Sequence, residues 1–246
     1  MSTAAPVQLH DQRRTLDRAQ RFDPRSRSYG VAQVVPDAKV PRSYTWACAL
    51  VLDQGEEGAC VGHAFAHDAV ARPVVRGVRS ADAFALYRRA QALDGFDDAT
   101  EGTSVLAGAQ AYVEGGYATG YRWAFSLEEL ILGLGYAGPA ILGLWWWTSM
   151  ATPAADGWVT VSGEREGGHA ILARQLHLAW VSGTTPAQKR ADGWLEHVDL
   201  DASWVLLHNS WSGQWGLSGT CIISLRNLWF GLLKDEGEAC FPTGRQ

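Results

Sequence analysis

The chain has little lysine: of 21 basic residues only Lys39, Lys189 and Lys234 are lysine, the rest arginine. Acidic residues outnumber basic ones, 26 to 21, for a net charge of −5, which argues against nucleic acid or an anionic membrane as the main partner. The arginine bias points to a GC-rich coding genome, bacterial or phage. The first forty residues carry charges throughout and no apolar run of seven, so no secretory signal is expected there. The longest apolar run, around residues 137–147, is too short for a membrane span and contains glycines and a proline. Cysteines are few, and Cys48, Cys60, Cys221 and Cys240 include no CxxC pair, which argues against structural zinc and thioredoxin-like redox chemistry. A reduced, cytoplasmic protein without metal or cofactor is the expectation.

The 246 residues, 47% hydrophobic and 19% charged, suit one large domain or two small ones packed together. Twelve tryptophans must be either buried or used in a groove. Residues 1–43 are polar, arginine-rich and interrupted by prolines. They read as an extended arm, laid over the body or partly disordered, with a short helix near residues 11–20. Helices are then expected from Cys60 to about Arg72, after Ser80 to Gly95, from Thr103 or Ser104 to Glu114, and from the capping box Ser126-Leu127-Glu128-Glu129 to about Leu134. The second half changes period. Residues 140–147, 158–162, 169–175, 203–208 and 220–225 read as antiparallel strands, and the polar stretch between Leu176 and Ala202 as a long hairpin connection. The fold class is therefore α+β, a helical half (44–138) followed by a β half (139–246), with a cleft between them as the natural place for a ligand.

Chemistry centres on residues 51–70, where a glycine-bearing acidic turn leads into a helix beginning at Cys60. Amide N–H groups at a helix N-terminus favour a thiolate. The same stretch also fits an ordinary strand–turn–helix with one buried cysteine. A nucleophilic thiolate needs a base, and the base an orienting partner. His169, after Gly167-Gly168 at a strand start, and Asn209, at a strand end within HNSWSGQWG, can supply them.

Gln54-Gly55-x-x-Gly58-Ala59-Cys60, Gly168-His169-Ala170 and Asn209-Ser210-Trp211-x-x-x-Trp215-Gly216 resemble, in order, the three signature blocks of papain-like cysteine peptidases. The histidine lies 109 residues and the asparagine 149 after Cys60; the family's spacing of roughly 130–150 fits the asparagine, while the histidine falls short. The resemblance implies a two-lobed papain-like fold whose central helix starts at the nucleophile, and a peptidase acting on peptide or protein substrates. It implies Cys60 as nucleophile, His169 as acid/base, Asn209 as the ring's orienting partner, Gln54 as oxyanion donor and Trp211 as a shield over the His169–Asn209 bond. By register it places Gly102 where a glycine pairs with substrate backbone, Gly143 near the main specificity pocket, and Trp145 beyond it as a wall residue.

The chain departs from the family pattern at Glu57, where a cysteine is usual, at Val61-Gly62-His63 after the nucleophile, and at Gly168, where aspartate is common. The arm is shorter than the long inhibitory propeptide of secreted members, so latency would rest on the arm itself, on confinement or on a partner. Other amide-bond hydrolysis (peptidoglycan or isopeptide) and a catalytically silent scaffold remain the alternatives. His63 and His67, four apart on one helix, could share a face as metal ligands but lack the glutamate of HExxH and a third ligand. His208 and Cys221 read as structural, His177 and His197 as surface residues, and Cys240 as an inert tail cysteine.

Overall fold

The computed structural model describes residues 16–21, 23–35, 40–96, 100–234 and 236–246. In chain order these form β1 (Arg18–Ala19), β2 (Tyr44–Thr45), α1 (Cys60–Val70), α2 (Ser80–Asp94), β3 (Thr103–Ser104), α3 (Val105–Glu114), β4 (Gly120–Trp123), α4 (Leu127–Tyr136), β5 (Ala140–Trp147), β6 (Arg165–Trp180), β7 (Val198–His208), β8 (Thr220–Ser224), a π-helical stretch Asn227–Leu233, and β9 (Glu238–Thr243). The architecture is α+β, as expected.

Local chemistry sets the helix ends. Ser104 Oγ accepts the Ala107 N–H at 3.1 Å and Ser126 Oγ the Glu129 N–H at 3.1 Å, satisfying donors that a helix start leaves over. The start of α2 differs by one residue from expectation: Arg79 is its N-cap, and the Asp82 carboxylate accepts the Arg79 N–H at 2.8 Å. Gly95, at φ 75°, closes it in the left-handed conformation. No side chain caps α1, and all but its last residue are buried, so packing rather than capping holds it.

One sheet of seven strands runs β4-β9-β5-β6-β7-β8, with β2 paired to β6 off that path, and its pairings are antiparallel. Alternation along the strands divides the interior. Ile141, Ala170, Leu172 and Cys240 pack with α1, α2 and α3, whereas Leu142, Leu144, Trp146, Ile171, Val205 and Leu207 pack with α4 in a second core. None of the twelve tryptophans is exposed: Trp46, Trp123, Trp146, Trp211 and Trp215 are buried and the others partly so. Gly62 lets α1 press against α2, since a Cβ there would lie 2.3 Å from the Ala83 carbonyl oxygen and 2.7 Å from the Tyr87 nitrogen.

Several expectations are corrected. Residues 158–162 form no strand, only a single bridge from Trp158 to Ile222. β6 runs on to Trp180 and β7 begins at Val198, so the long connection is there but narrower than expected, spanning residues 181–197. The helix near residues 11–20 falls partly outside the described residues, and residues 16–20 are extended instead. Cys240 is no loose tail residue but lies fully buried in β9, opposite Ile141 and Trp123.

Candidate active site

Two distant segments are joined first. Residues 52–54 run beside residues 210–212: Gln54 N–H donates to the Ser210 carbonyl at 2.9 Å, Ser212 N–H to the Leu52 carbonyl at 3.3 Å, and Asp53 bridges Trp211. This pairing brings Gln54 to the end of β7. There the Gln54 Oε1 accepts the Ser210 hydroxyl at 2.6 Å, and its Nε2 donates to the Glu57 carbonyl at 2.8 Å. The amide is thereby fixed with its nitrogen on the Glu57 side, toward the turn that leads into Cys60.

Asn209 and His169 lie at 2.8 Å, Oδ1 to Nε2, and both are fully buried. The orientation of the amide follows from its second bond: Oδ1 also accepts the Ser210 backbone N–H at 2.8 Å. An oxygen held this way needs a donor from the ring, so Nε2 carries the proton and Nδ1 is the basic nitrogen. Ser210 thus orients both Asn209 and Gln54, a role the sequence reading missed. Its position between two motif residues was the only available signal.

Aromatic rings enclose the histidine. Trp211 lies 5.0 Å from the His169 ring and Trp146 4.9 Å, edge-on, with Trp146 and Trp211 5.2 Å apart. Trp215 packs on Trp211 at 5.4 Å. Trp211 thus lies against the His169 ring, joined by Trp146, which sequence reasoning did not single out. Exclusion of water strengthens the bond it covers.

Cys60 opens α1 and is fully buried. Its thiol reaches the Ala170 backbone N–H, next to His169, and the Val61 N–H. Burial pushes its pKa up to about 11, with the Asp17 carboxylate adding and the two N–H groups and Arg18 subtracting. The helix-terminus effect expected from sequence is outweighed by desolvation.

The N-terminal segment lies over this site. β1 lies parallel to β3, Arg18 opposite Thr103 and Ala19 opposite Ser104, while Asp17 bridges Gly168 across the cleft. Glycines clear the channel. A Cβ on Gly102 would lie 1.5 Å from the Asp17 carbonyl oxygen, on Gly167 2.5 Å from the Leu16 carbonyl oxygen, and on Gly168 2.2 Å from that of Arg18. Gly102 and Gly168 are thus where an extended backbone sits. The aspartate usual before the histidine could not coexist with this segment.

Gly143 lies beside the Arg18 side chain. Trp145, two residues on, pairs with Gly168; its Nε1 donates to Glu236 Oε2 at 3.0 Å, and Arg165 stacks over it and Trp147 at 5.6 and 5.4 Å. The Glu236 carbonyl in turn accepts from Gln20 of the arm at 3.2 Å.

The helix-face histidines diverge. His63 bonds to the Ala59 carbonyl at 2.9 Å and meets Phe84 edge-on. His67 Nε2 accepts the Leu52 N–H at 3.1 Å, and its ring lies 4.3 Å from His208. Among the described residues no group of three or more His, Cys, Asp or Glu side chains could hold a metal ion, and no helix is long and apolar enough to cross a membrane.

The fold is that of papain-like cysteine proteases. No protein-family model matches the chain, and no curated protein matches it in sequence. Solved structures do. Xylellain, a cysteine protease from Xylella fastidiosa, superposes with a TM-score of 0.65 at 11% identity, over 96% of this chain and 98% of that one. Procathepsin B S9 from Trypanosoma congolense gives 0.58 at 14%, over 94% and 84%, and procathepsin L 3 of the Tenebrio molitor larval midgut 0.57 at 14%, over 85% and 72%.

Proposed function

We propose that the chain is a cysteine peptidase that hydrolyses peptide bonds through an acyl-enzyme on Cys60. The observation that carries this reading is the His169–Asn209 bond at 2.8 Å, walled by tryptophan, with the backbone N–H of the next residue, Ala170, against the Cys60 thiol. In the proposed cycle the Cys60 thiol gives its proton to His169 Nδ1. The thiolate attacks the scissile carbonyl, and the oxyanion is stabilised by the Cys60 backbone N–H and the Gln54 amide. His169 then protonates the departing amine, and water, deprotonated by the same nitrogen, releases the acyl group. Asn209 holds the imidazole in one tautomer throughout, and Trp211 keeps water from their bond.

In this reading the arm must leave the cleft before a substrate enters. The test uses the full-length chain carrying Arg18→Glu, which places a carboxylate against Glu238 and drives the arm out. This variant should digest a peptide library, and iodoacetamide should alkylate its Cys60 far faster than Cys240. His169→Ala should slow that labelling, and Cys60→Ala should abolish digestion. A folded Arg18→Glu chain that cleaves nothing, or cleavage surviving Cys60→Ala, would sink the proposal.

A further inference from the structure

A buried polar stripe on α2 plays no part in that cycle. Tyr87, Gln91 and Asp94 recur at helical spacing and share one face, and that face is bonded to residues 100–104. The Gly102 N–H donates to the Tyr87 hydroxyl oxygen at 3.0 Å. Gln91 Nε2 donates to the same oxygen at 2.8 Å and to the Thr100 carbonyl at 2.6 Å. Its Oε1 accepts from Arg88 Nη1 at 3.0 Å, which fixes the amide with its nitrogen toward Tyr87. Asp94 Oδ2 accepts the Thr103 hydroxyl and the Ser104 N–H, both at 2.7 Å, and Oδ1 accepts the Ser104 hydroxyl at 3.0 Å.

We infer that Tyr87, backed by Gln91, is a positioning residue for substrate: it holds the β3 edge where the backbone of an incoming peptide pairs with it. The inference rests on the peptidase reading and assigns α2 a task within it.

Three observations support it. First, β3 is two residues long, and its one strand partner among the described residues is β1 of the arm. Once the arm leaves, a strand so short cannot hold its own geometry, and the α2 stripe is what still fixes it. Second, the stripe takes the donors from one side of the edge. The N–H groups of Gly102 and Ser104 are both bonded to α2, so the alternation of an extended backbone turns the Thr103 N–H and C=O toward the channel. The arm pairs there, with Arg18 opposite Thr103. Third, the edge stands against the reacting centre. A Cβ on Gly58, in the turn that leads into Cys60, would lie 3.0 Å from the Gly102 nitrogen, so an edge that shifts carries the peptide away from the thiol. Tyr87 and Gln91 are buried, where a lost partner is costly, and their bonds therefore set the edge sharply.

The experiment compares the full-length Arg18→Glu chain, whose arm is expelled, with the same chain carrying Tyr87→Phe, which removes the hydroxyl and keeps the ring. KM for a cleaved peptide should rise about five- to tenfold with kcat within about twofold, the loss of one hydrogen bond acting on binding. A fall in kcat at unchanged KM would mean only a weakened fold and would overturn the inference. Binding is read separately by fluorescence anisotropy, with Cys60→Ala added and labelled peptides N-methylated at one backbone amide at a time. At one position the methyl group should weaken binding about tenfold, and Tyr87→Phe should cut that penalty to below about threefold, because both changes act on one contact. Gln91→Met, which keeps the bulk and removes the bonds, should shift KM and Kd in the same direction by about two- to fivefold. KM and Kd unmoved in both folded variants, or an N-methyl penalty that persists in them, overturns the inference. If the binding pattern appears but no chain cleaves anything, the peptidase reading fails and the positioning role stands. If cleavage occurs but the pattern is absent, the positioning role fails alone. Thermal melts of each variant establish that the comparison is between folded proteins.

Discussion

His208, next to Asn209, makes the stability of this fold depend on pH in a way that can be isolated. Its ring is buried beneath α1, 4.3 Å from His67, and its Nδ1 accepts from Arg174 Nε at 3.0 Å. Burial, and then the Arg174 charge, lower its pKa from 6.5 to about 4. The unfolded chain therefore takes up this proton near pH 6.5 and the folded chain only near pH 4, so between those values acidification favours unfolding. The full shift corresponds to about 3 kcal/mol, of which about 2.5 kcal/mol is lost between pH 7.5 and 4.5. His67, whose pKa burial and then His208 lower as well, adds in the same direction. The wild-type curve alone would hide this. Glu238 and Asp68 have pKa values raised to about 7 and about 6, chiefly by burial, and as buried acids they gain stability as pH falls. The informative quantity is the difference between wild type and His208→Asn, whose Oδ1 can accept from Arg174 but cannot titrate. Urea unfolding followed by tryptophan fluorescence at 25 °C should show wild type losing about 2 to 3 kcal/mol relative to the variant from pH 7.5 to 4.5, with no change above pH 7.5. A difference constant to within about 0.5 kcal/mol across that range would refute the assignment of a buried, neutral His208.

Two further outcomes follow from single contacts. Ser210→Ala removes the hydroxyl that fixes Gln54 Oε1 at 2.6 Å; peptide hydrolysis by the arm-expelled chain should fall about five- to tenfold in kcat with KM little changed, as for loss of one hydrogen bond. Gly62→Ala drives a methyl group to 2.3 Å from the Ala83 carbonyl oxygen and 2.7 Å from the Tyr87 nitrogen, so the α1–α2 contact must open, lowering stability by about 1–3 kcal/mol in urea titration.

What could be read in the sequence was what local chemistry decides. Ser104, Ser126 and Gly95 mark helix ends by bonds within one turn, and Ala140–Trp147 is apolar enough to be read as a strand to the residue. Residues 158–162 alternate like a strand, but alternation reports one buried face and not a partner; here only the Val159 N–H reaches Ile222, at 2.9 Å. β6 outruns its expected end, through Leu176, Leu178 and Trp180, and bulges between Ala173 and Gln175 and between His177 and Ala179 let the strand bend as it continues. β4 and β9 went unread because each is short and depends on the other, 117 residues or more away, for its register. The motif residues Gln54, Cys60, His169, Asn209 and Trp211 were legible because glycine, cysteine and tryptophan are distinctive. Ser210 was not, since a serine two bonds deep in a network looks like any serine.

The departure after the nucleophile now has a packing explanation rather than a catalytic one. Gly62 is demanded by α2, Val61 is buried against Gly108 of α3, and His63 faces Phe84. None of the three side chains points to a change in the chemistry at Cys60. What alters that chemistry is the arm, which no local pattern could announce, because its anchor spans the 220 residues from Arg18 to Glu238. With the arm seated, Cys60 is out of solvent, which favours the thiol, while the Arg18 charge lowers its pKa by more than the Asp17 carboxylate raises it. Withdrawal of the arm would give Cys60 back to solvent but also remove the Arg18 charge that favours its thiolate. In the proposed function, access for a substrate and ionisation of Cys60 are therefore both tied to the arm, and the regained solvation has to outweigh the lost Arg18 charge for the thiolate to form on release.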